Sequence, residues 1–288
     1  MILVTGAGGT VGAELVKKLK SENVPFRAAY HSAVKLDAAR ASGLDAVEID
    51  FARSESMRRG FAEAGTMFLL SGNHPDQTQR ESAAVAAARQ AGVATIVKLS
   101  VWDAETEAFS FAKIHRPVER AIEASGMAFT FLRPNGFMQN FIHEAANIKA
   151  QSAFYQSAGD APISHIDVRD IAAVAAAVLL EAEIGGATHA GRAYTLSGPR
   201  ALDCHEIARK LSAALGRGIS YVDRSPAELR SGMLAGGVPA WYADNILELL
   251  AYYSAGHAAR VTGDVRRITG RDPIPFEAFL ADHIHSFR

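Results

Sequence analysis

Met1-Ile2-Leu3-Val4 runs directly into Thr5-Gly6-Ala7-Gly8-Gly9-Thr10-Val11-Gly12, and Ala13-Glu14-Leu15-Val16-Lys17-Lys18-Leu19-Lys20 follows. The first four residues are apolar and suit a short buried strand. Val11, Leu15 and Leu19 recur every four residues and set one face of a helix. The glycines between them read as a tight turn. Strand, glycine turn and helix in this order open a dinucleotide-binding βαβ unit. A pyrophosphate rests on backbone N–H groups at a helix N-terminus, where the dipole favours negative charge. A side chain at the closest approach would hold the ligand off, so glycine is needed there. On this reading Gly6 makes the turn, Gly9 admits the phosphate and Gly12 lets the helix pack on the strand. Thr10 and Val11 belong to the same cofactor-binding loop.

Working outward, the 288 residues are 49% hydrophobic and 21% charged, enough for one full α/β core with a small appended lobe. Lys and Arg total 30 against 31 Asp and Glu, with no basic block, which argues against a nucleic-acid surface. The single Cys204 excludes an internal disulfide and a Cys-cluster metal site. No apolar stretch is long enough to span a bilayer, and a strand beginning at residue 1 leaves no room for a signal peptide. The expectation is a cytoplasmic protein with no membrane, metal or nucleic-acid partner.

Residues 24–30 read as a second strand, ending near the adenosine ribose. An acid there would accept from the 2′-hydroxyl and favour NAD. The chain instead offers Tyr30-His31-Ser32, with Arg27 and Lys35 nearby. The charge argument favours NADP, with NAD possible; His31 and Lys35 are otherwise loop residues. Residues 45–51 read as a third strand whose Asp50 and Phe51 either flank the adenine or simply close the strand. Residues 66–72 suit a central parallel strand with Ser71 and Gly72 facing the cofactor. Helices are expected over 54–64, 79–91 and 113–124, and strands over 94–100 and 129–134. This alternation means a doubly wound parallel sheet, the Rossmann fold. Beyond it, 163–168 reads as a short strand, 170–182 as an apolar helix capped by Asp170, and 193–198 as a seventh strand. Asp203-Cys204-His205-Glu206 and Ser225-Pro226-Ala227-Glu228 are helix starts. Helices are expected over 241–253 and 276–287, with another opening at Thr262. The chain is read as one unit, with 1–135 as the Rossmann core. Residues 136–288 supply the remaining core elements and a small, interwoven, mostly helical substrate-binding lobe.

Four segments together resemble a known family: the Thr5-Gly6-x-x-Gly9-x-x-Gly12 turn, Leu132-Arg133-Pro134-Asn135-Gly136-Phe137-Met138, His165-Ile166-Asp167-Val168-Arg169-Asp170-Ile171-Ala172, and Thr269-Gly270. They resemble the NmrA-like group of atypical short-chain dehydrogenase/reductase proteins. That group includes NADPH-dependent quinone oxidoreductases and triphenylmethane dye reductases. The resemblance implies an NADP-binding oxidoreductase and places Pro134 at the cofactor. The wider class uses a Tyr-x-x-x-Lys pair, and Phe109-Ser110-Phe111-Ala112-Lys113 has that spacing with Phe in place of Tyr. A phenyl ring cannot donate a proton. Lys113 either binds the nicotinamide ribose, as the resemblance implies, or faces solvent.

His115, with Glu119 one turn on, also resembles the family's quinone reductases. It is the candidate donor of a hydrogen bond or proton to the acceptor, against the plainer role of a salt-bridged helix residue. Ser100, ending its strand, is a second candidate. Trp102, Phe109, Phe137, Met138 and Trp241 could wall a pocket for a flat ring, or pack as plain core. The His165, Asp167 and Asp170 group is read as local structure, not a metal site. The expected function is NAD(P)H-dependent hydride transfer to a quinone-like or other flat, electron-poor small molecule. The alternative is a non-catalytic NAD(P)-sensing regulator of NmrA type. Either a monomer or a homodimer is compatible with the sequence.

Overall fold

The computed structural model describes residues 1–288. The elements in chain order are β1 (Ile2–Val4), α1 (Thr10–Ser21), β2 (Phe26–Tyr30), α2 (Ala33–Ala41), β3 (Ala46–Glu48), α3 (Ser54–Gly60), β4 (Thr66–Leu69), α4 (Gln77–Gln90), β5 (Thr95–Leu99), α5 (Ser110–Ser125), β6 (Ala128–Pro134), α6 (Ala145–Gln151), β7 (Ala153–Gln156), α7 (Val168–Glu183), β8 (Arg192–Leu196), α8 (Cys204–Leu215), β9 (Ser220–Asp223), α9 (Pro226–Ala235), α10 (Ala240–Tyr252), α11 (Asp264–Thr269) and α12 (Phe276–Phe287).

Seven strands form one parallel sheet in the order β3-β2-β1-β4-β5-β6-β8. The winding reverses at β1, between β2 and β4, so a crevice opens beyond their carboxyl ends. Buried runs such as Ile2-Leu3-Val4 fit strands covered on both faces. The chain divides into two compact units. The first holds residues 1–105, 113–133 and 168–195, including most of the sheet. Its core packs Leu3, Phe61, Met67, Ile96, Val118 and Phe131, and α7 lies against α1.

The second unit holds residues 106–112, 134–167 and 196–288. Its core is strongly aromatic, with Phe141, Phe154, Phe276, Phe279 and Phe287 sealed together. Asp203 and Ser225 close capping boxes with Glu206 and Glu228, fixing the starts of α8 and α9. No helix is long and apolar enough to cross a membrane.

Two local expectations are corrected, and one sheet is added. Residues 163–168 form no strand: Ile163 bridges Leu202 and Ile166 bridges Phe137, each singly. Helix α7 begins at Val168, so Asp170 sits buried in its first turn instead of capping it. Finally, β7 and β9 pair as a separate two-stranded parallel sheet that the sequence pattern did not announce.

Candidate active site

The glycine turn has the geometry its spacing implies. Gly6 has φ +64°, and a Cβ there would lie 2.8 Å from the Leu70 carbonyl oxygen. Gly12 is stricter, since its Cβ would fall 2.1 Å from the Gly6 carbonyl oxygen. Gly9 is looser, with Gly6 O at 3.3 Å from an added Cβ. Gly9 caps α1, and no side chain accepts from the helix's first turn. Those amides remain available to an anion, which fits a dinucleotide diphosphate. Thr5 ties the crevice edges: its hydroxyl lies 3.0 and 2.9 Å from the Phe68 and Leu70 carbonyls and accepts from Leu70 N–H at 2.9 Å.

A cavity of about 240 Å³ opens at this reversal point, and it gathers Gly6, His31, Asp50, Phe51, Ser71 and Gly72. Asn73, His74, Gln77 and Arg80 line it too. These four were missed, although a polar loop following the central strand was the signal for Asn73, His74 and Gln77; Arg80 lies in the first turn of α4. Arg27 is committed elsewhere, to Asp45 at 3.0 Å and the Ala62 carbonyl. Lys35 reaches back to the Gly8 carbonyl at 2.6 Å. Asp50 brings a carboxylate from the end of β3, held below the usual carboxylate range by the Ala52 N–H and by Arg53 at 3.1 Å.

Behind the cavity wall lies a sealed polar cluster. Ser71 Oγ donates to Glu81 Oε1 at 2.6 Å, and Gln77 Nε2 donates to the same oxygen at 3.2 Å. Glu81 Oε2 pairs with Lys98 Nζ at 2.9 Å, and both residues have no exposure. Lys98 Nζ lies 3.2 Å from His115 Nδ1. Burial opposes the charge on Glu81, but the Lys98 ammonium and the Ser71 hydroxyl outweigh it and hold its pKa below the ordinary value. Burial first, and then the Lys98 ammonium, push His115 down to about 3. His115 is therefore a neutral imidazole, able to donate a hydrogen bond but not to act as an imidazolium acid.

Glu119 is likewise sealed. Arg133 forks onto it at 3.0 and 2.7 Å, and Arg116 adds a contact at 3.0 Å. Burial opposes its charge, yet Arg133, Ser100 and Arg116 keep its pKa lowered. The Ser100 hydroxyl faces this carboxylate without a well-formed hydrogen bond. His115 and Ser100, the two catalytic candidates, thus both border Glu119.

The profile of the family described as NAD(P)H-binding matches residues 6–182, which span the glycine turn, the cavity and the sealed cluster. The chain belongs to the NAD(P)H-binding family. It is 33% identical over 288 residues to the NAD(P)H azoreductase of Xenophilus azovorans, covering 100% of this chain and 99% of that one. The NADPH-dependent quinone oxidoreductase QOR2 of Escherichia coli, solved with NADPH, superposes with TM-score 0.88 at 24% identity, covering 99% of this chain and 100% of that one. The triphenylmethane reductase of Citrobacter sp., solved with NADP(H), gives TM-score 0.86 at 25% identity, over 98% of this chain and 99% of that one.

The other residues expected at this family member's site are distributed as follows. Lys113 is exposed at the start of α5, and Pro134 is buried at the end of β6; neither lines the cavity. Trp102, Phe109 and Met138 are 0%, 1% and 2% exposed, so they offer no free ring or face. Phe109 instead stacks on Tyr252 with centroids 4.8 Å apart. Phe137 and Trp241 are half-buried and are the two wall candidates with accessible surface. No group of His, Cys, Asp or Glu is placed to hold a metal.

Proposed function

We propose that the chain is an NAD(P)H-dependent reductase acting on a flat, electron-poor acceptor of the quinone or dye type. The observation that carries this reading is the donor set. Phe109 supplies no phenol, and His115 is kept neutral, so no strong acid stands ready for an alcohol–ketone reaction. Quinones and dyes stabilise added negative charge themselves and need a hydrogen bond more than a proton. The names of the azoreductase, quinone oxidoreductase and dye reductase relatives agree.

When bound, the dinucleotide supplies the hydride. In this reading Gly6, Gly9, Thr10, Val11 and Gly12 seat the diphosphate, with His31, Asp50, Phe51, Ser71 and Gly72 along the adenosine side and Lys113 and Pro134 toward the nicotinamide. NADP is favoured: His31 and Arg80 are donors at the cavity, and its acid, Asp50, is already matched by Arg53. His115 and Ser100 serve as hydrogen-bond donors near the reacting ring.

The test is loss of NADPH absorbance with a panel of quinones and azo dyes. Turnover on at least one supports the reading. Tight NADP binding with no turnover on any would replace it with a dinucleotide sensor. Gly12→Ala, which sets a methyl 2.1 Å from the Gly6 carbonyl, is expected to weaken NADPH binding about tenfold or more in calorimetry. Gly9→Ala, with 3.3 Å of room, is expected to fold normally and lose less affinity.

A further inference from the structure

Lys98 stands within β5 and is wholly buried, facing Glu81 of α4, also wholly buried. Two charges withdrawn this completely are tolerated only when their remaining donors and acceptors are matched. Lys98 Nζ has hydrogen-bonding contacts to His115 Nδ1 at 3.2 Å and to the Leu99 carbonyl oxygen, and it sits 2.9 Å from Glu81 Oε2 as an ion pair without well-formed hydrogen-bond geometry. An ammonium has no lone pair, so it can only donate. His115 Nδ1 is then the acceptor, and the ring's one N–H is at Nε2. The other end of the chain is equally committed, because Ser71 and Gln77 of the cavity wall both donate to Glu81 Oε1.

We propose that Lys98, held in place by Glu81, is a positioning residue for His115. It fixes the neutral Nε2–H tautomer, so that His115 offers a donor at Nε2. Glu81 has the complementary task of balancing the charge of the buried ammonium. The use of this donor rests on the reductase reading; the tautomer itself does not. A cation beside the donor settles its protonation state.

The test is the nitrogen-15 spectrum of the His115 ring in the whole protein. The wild type is expected to show Nδ1 unprotonated and Nε2 protonated, with no change as pH is taken through the ordinary histidine value of 6.5. The groups facing the ring are Lys98, Glu81 and Glu119. Lys98→Met alone strands a buried carboxylate and risks unfolding, so the decisive variant is Glu81→Gln with Lys98→Met, which removes both charges at similar volume. In that double variant the Nδ1–H form is expected to appear, and kcat on the best acceptor to fall about tenfold or more. A wild type with the proton on Nδ1, or a folded double variant that keeps only the Nε2–H form, overturns the assignment. A chain that reduces nothing yet shows the lock in the wild type and its loss in the double variant refutes the reductase reading and leaves Lys98 in its role.

Discussion

His115 in the first unit and His165 in the second are both held neutral, for different reasons. His165 is pushed down to about 4 by burial, opposed only by the Ile163 backbone, and its Nδ1 is sealed without a partner. Its neighbours are the edge of Phe141, 5.2 Å away, and Gly136, where an added Cβ would come within 3.1 Å of the ring. His115 falls further, to about 3, because a cation sits on its Nδ1. Exclusion of water makes a histidine neutral, but it does not say which nitrogen keeps the proton. A charged partner says both. The first unit carries Glu81, Lys98, Glu119, Arg133 and Asp170 buried, whereas in the second Asp167 is the one buried charged residue and the core is strongly aromatic. Buried charge clustered around a histidine is where specification of a proton is possible.

The sharpest way to break this comparison is to remove one member of each core. Lys98→Met is expected to lower unfolding free energy by about 3–5 kcal/mol, because Glu81 is left as a lone buried charge. Adding Glu81→Gln should recover most of that loss. Phe279→Ala is expected to cost a similar ~3–5 kcal/mol, by leaving a cavity. Adding Phe287→Ala, its ring neighbour at 6.5 Å, should cost more instead of recovering anything. Denaturant unfolding of these four variants measures both comparisons. Recovery in the second unit, or none in the first, would show that the two cores do not differ in kind.

Acid titration separates the two histidines next. Both have folded pKa values below the unfolded 6.5, so their neutral forms contribute full stability above 6.5. As pH falls below 6.5 the unfolded chain takes up protons that the folded chain refuses. Stability then drops by up to about 1.4 kcal/mol per pH unit for each ring. Glu81 and Glu119, with lowered pKa values, lose their contributions only as pH falls below the carboxylate value of 4.5. The interval from 6.5 to 4.5 therefore reports mainly the histidines. His165→Phe should halve the slope there and leave turnover unchanged. His115→Gln should halve it too and depress turnover. A slope that neither variant alters would mean that both rings are protonated in the folded state.

What could be read from the sequence follows from the range of the interactions. The β1–turn–α1 unit was legible because its glycines and its four-residue spacing are local. The parallel sheet was legible because apolar strands alternate with helices over short links. Strands β7 and β9 were not: each has four residues, and Ala153 pairs with Ser220 across a stretch of chain that holds α7, β8 and α8. Helix α2 was passed over although Ser32 caps it, because its apolar residues are mostly alanines. In the site, His115 was found by resemblance, but Glu81 was hidden in an alanine-rich helix. Lys98 did leave a signal: a lysine inside Thr95-Ile96-Val97-Lys98-Leu99, a strand sealed on both faces, must meet a buried acid. Which acid it meets is set by how α4 returns to the sheet, and no local pattern carries that. The wall of Trp102, Phe109 and Met138 failed for the opposite reason. Aromatic and sulfur side chains near a strand end satisfy core and pocket patterns equally, and here they are core.

The smallest expected effect tests how far the charge of the first core is felt at its edge. Ser71 donates to the buried Glu81 carboxylate at 2.6 Å, whereas Ser212 of the second unit donates to the Ala208 carbonyl at 2.8 Å and accepts from Ile219 N–H at 2.8 Å. Hydrogen bonds to a charged group are worth about 1.5–3 kcal/mol and neutral ones about 0.5–1.5 kcal/mol. Ser71→Ala should therefore cost about 2 kcal/mol and Ser212→Ala about 1 kcal/mol. Gln77 still donates to the same Glu81 oxygen at 3.2 Å, so the Ser71 loss should stay well below that of Lys98→Met. Equal costs at the two serines would mean that solvent in the crevice replaces the Ser71 bond. The sealed cluster would then end at Glu81, not at the cavity wall.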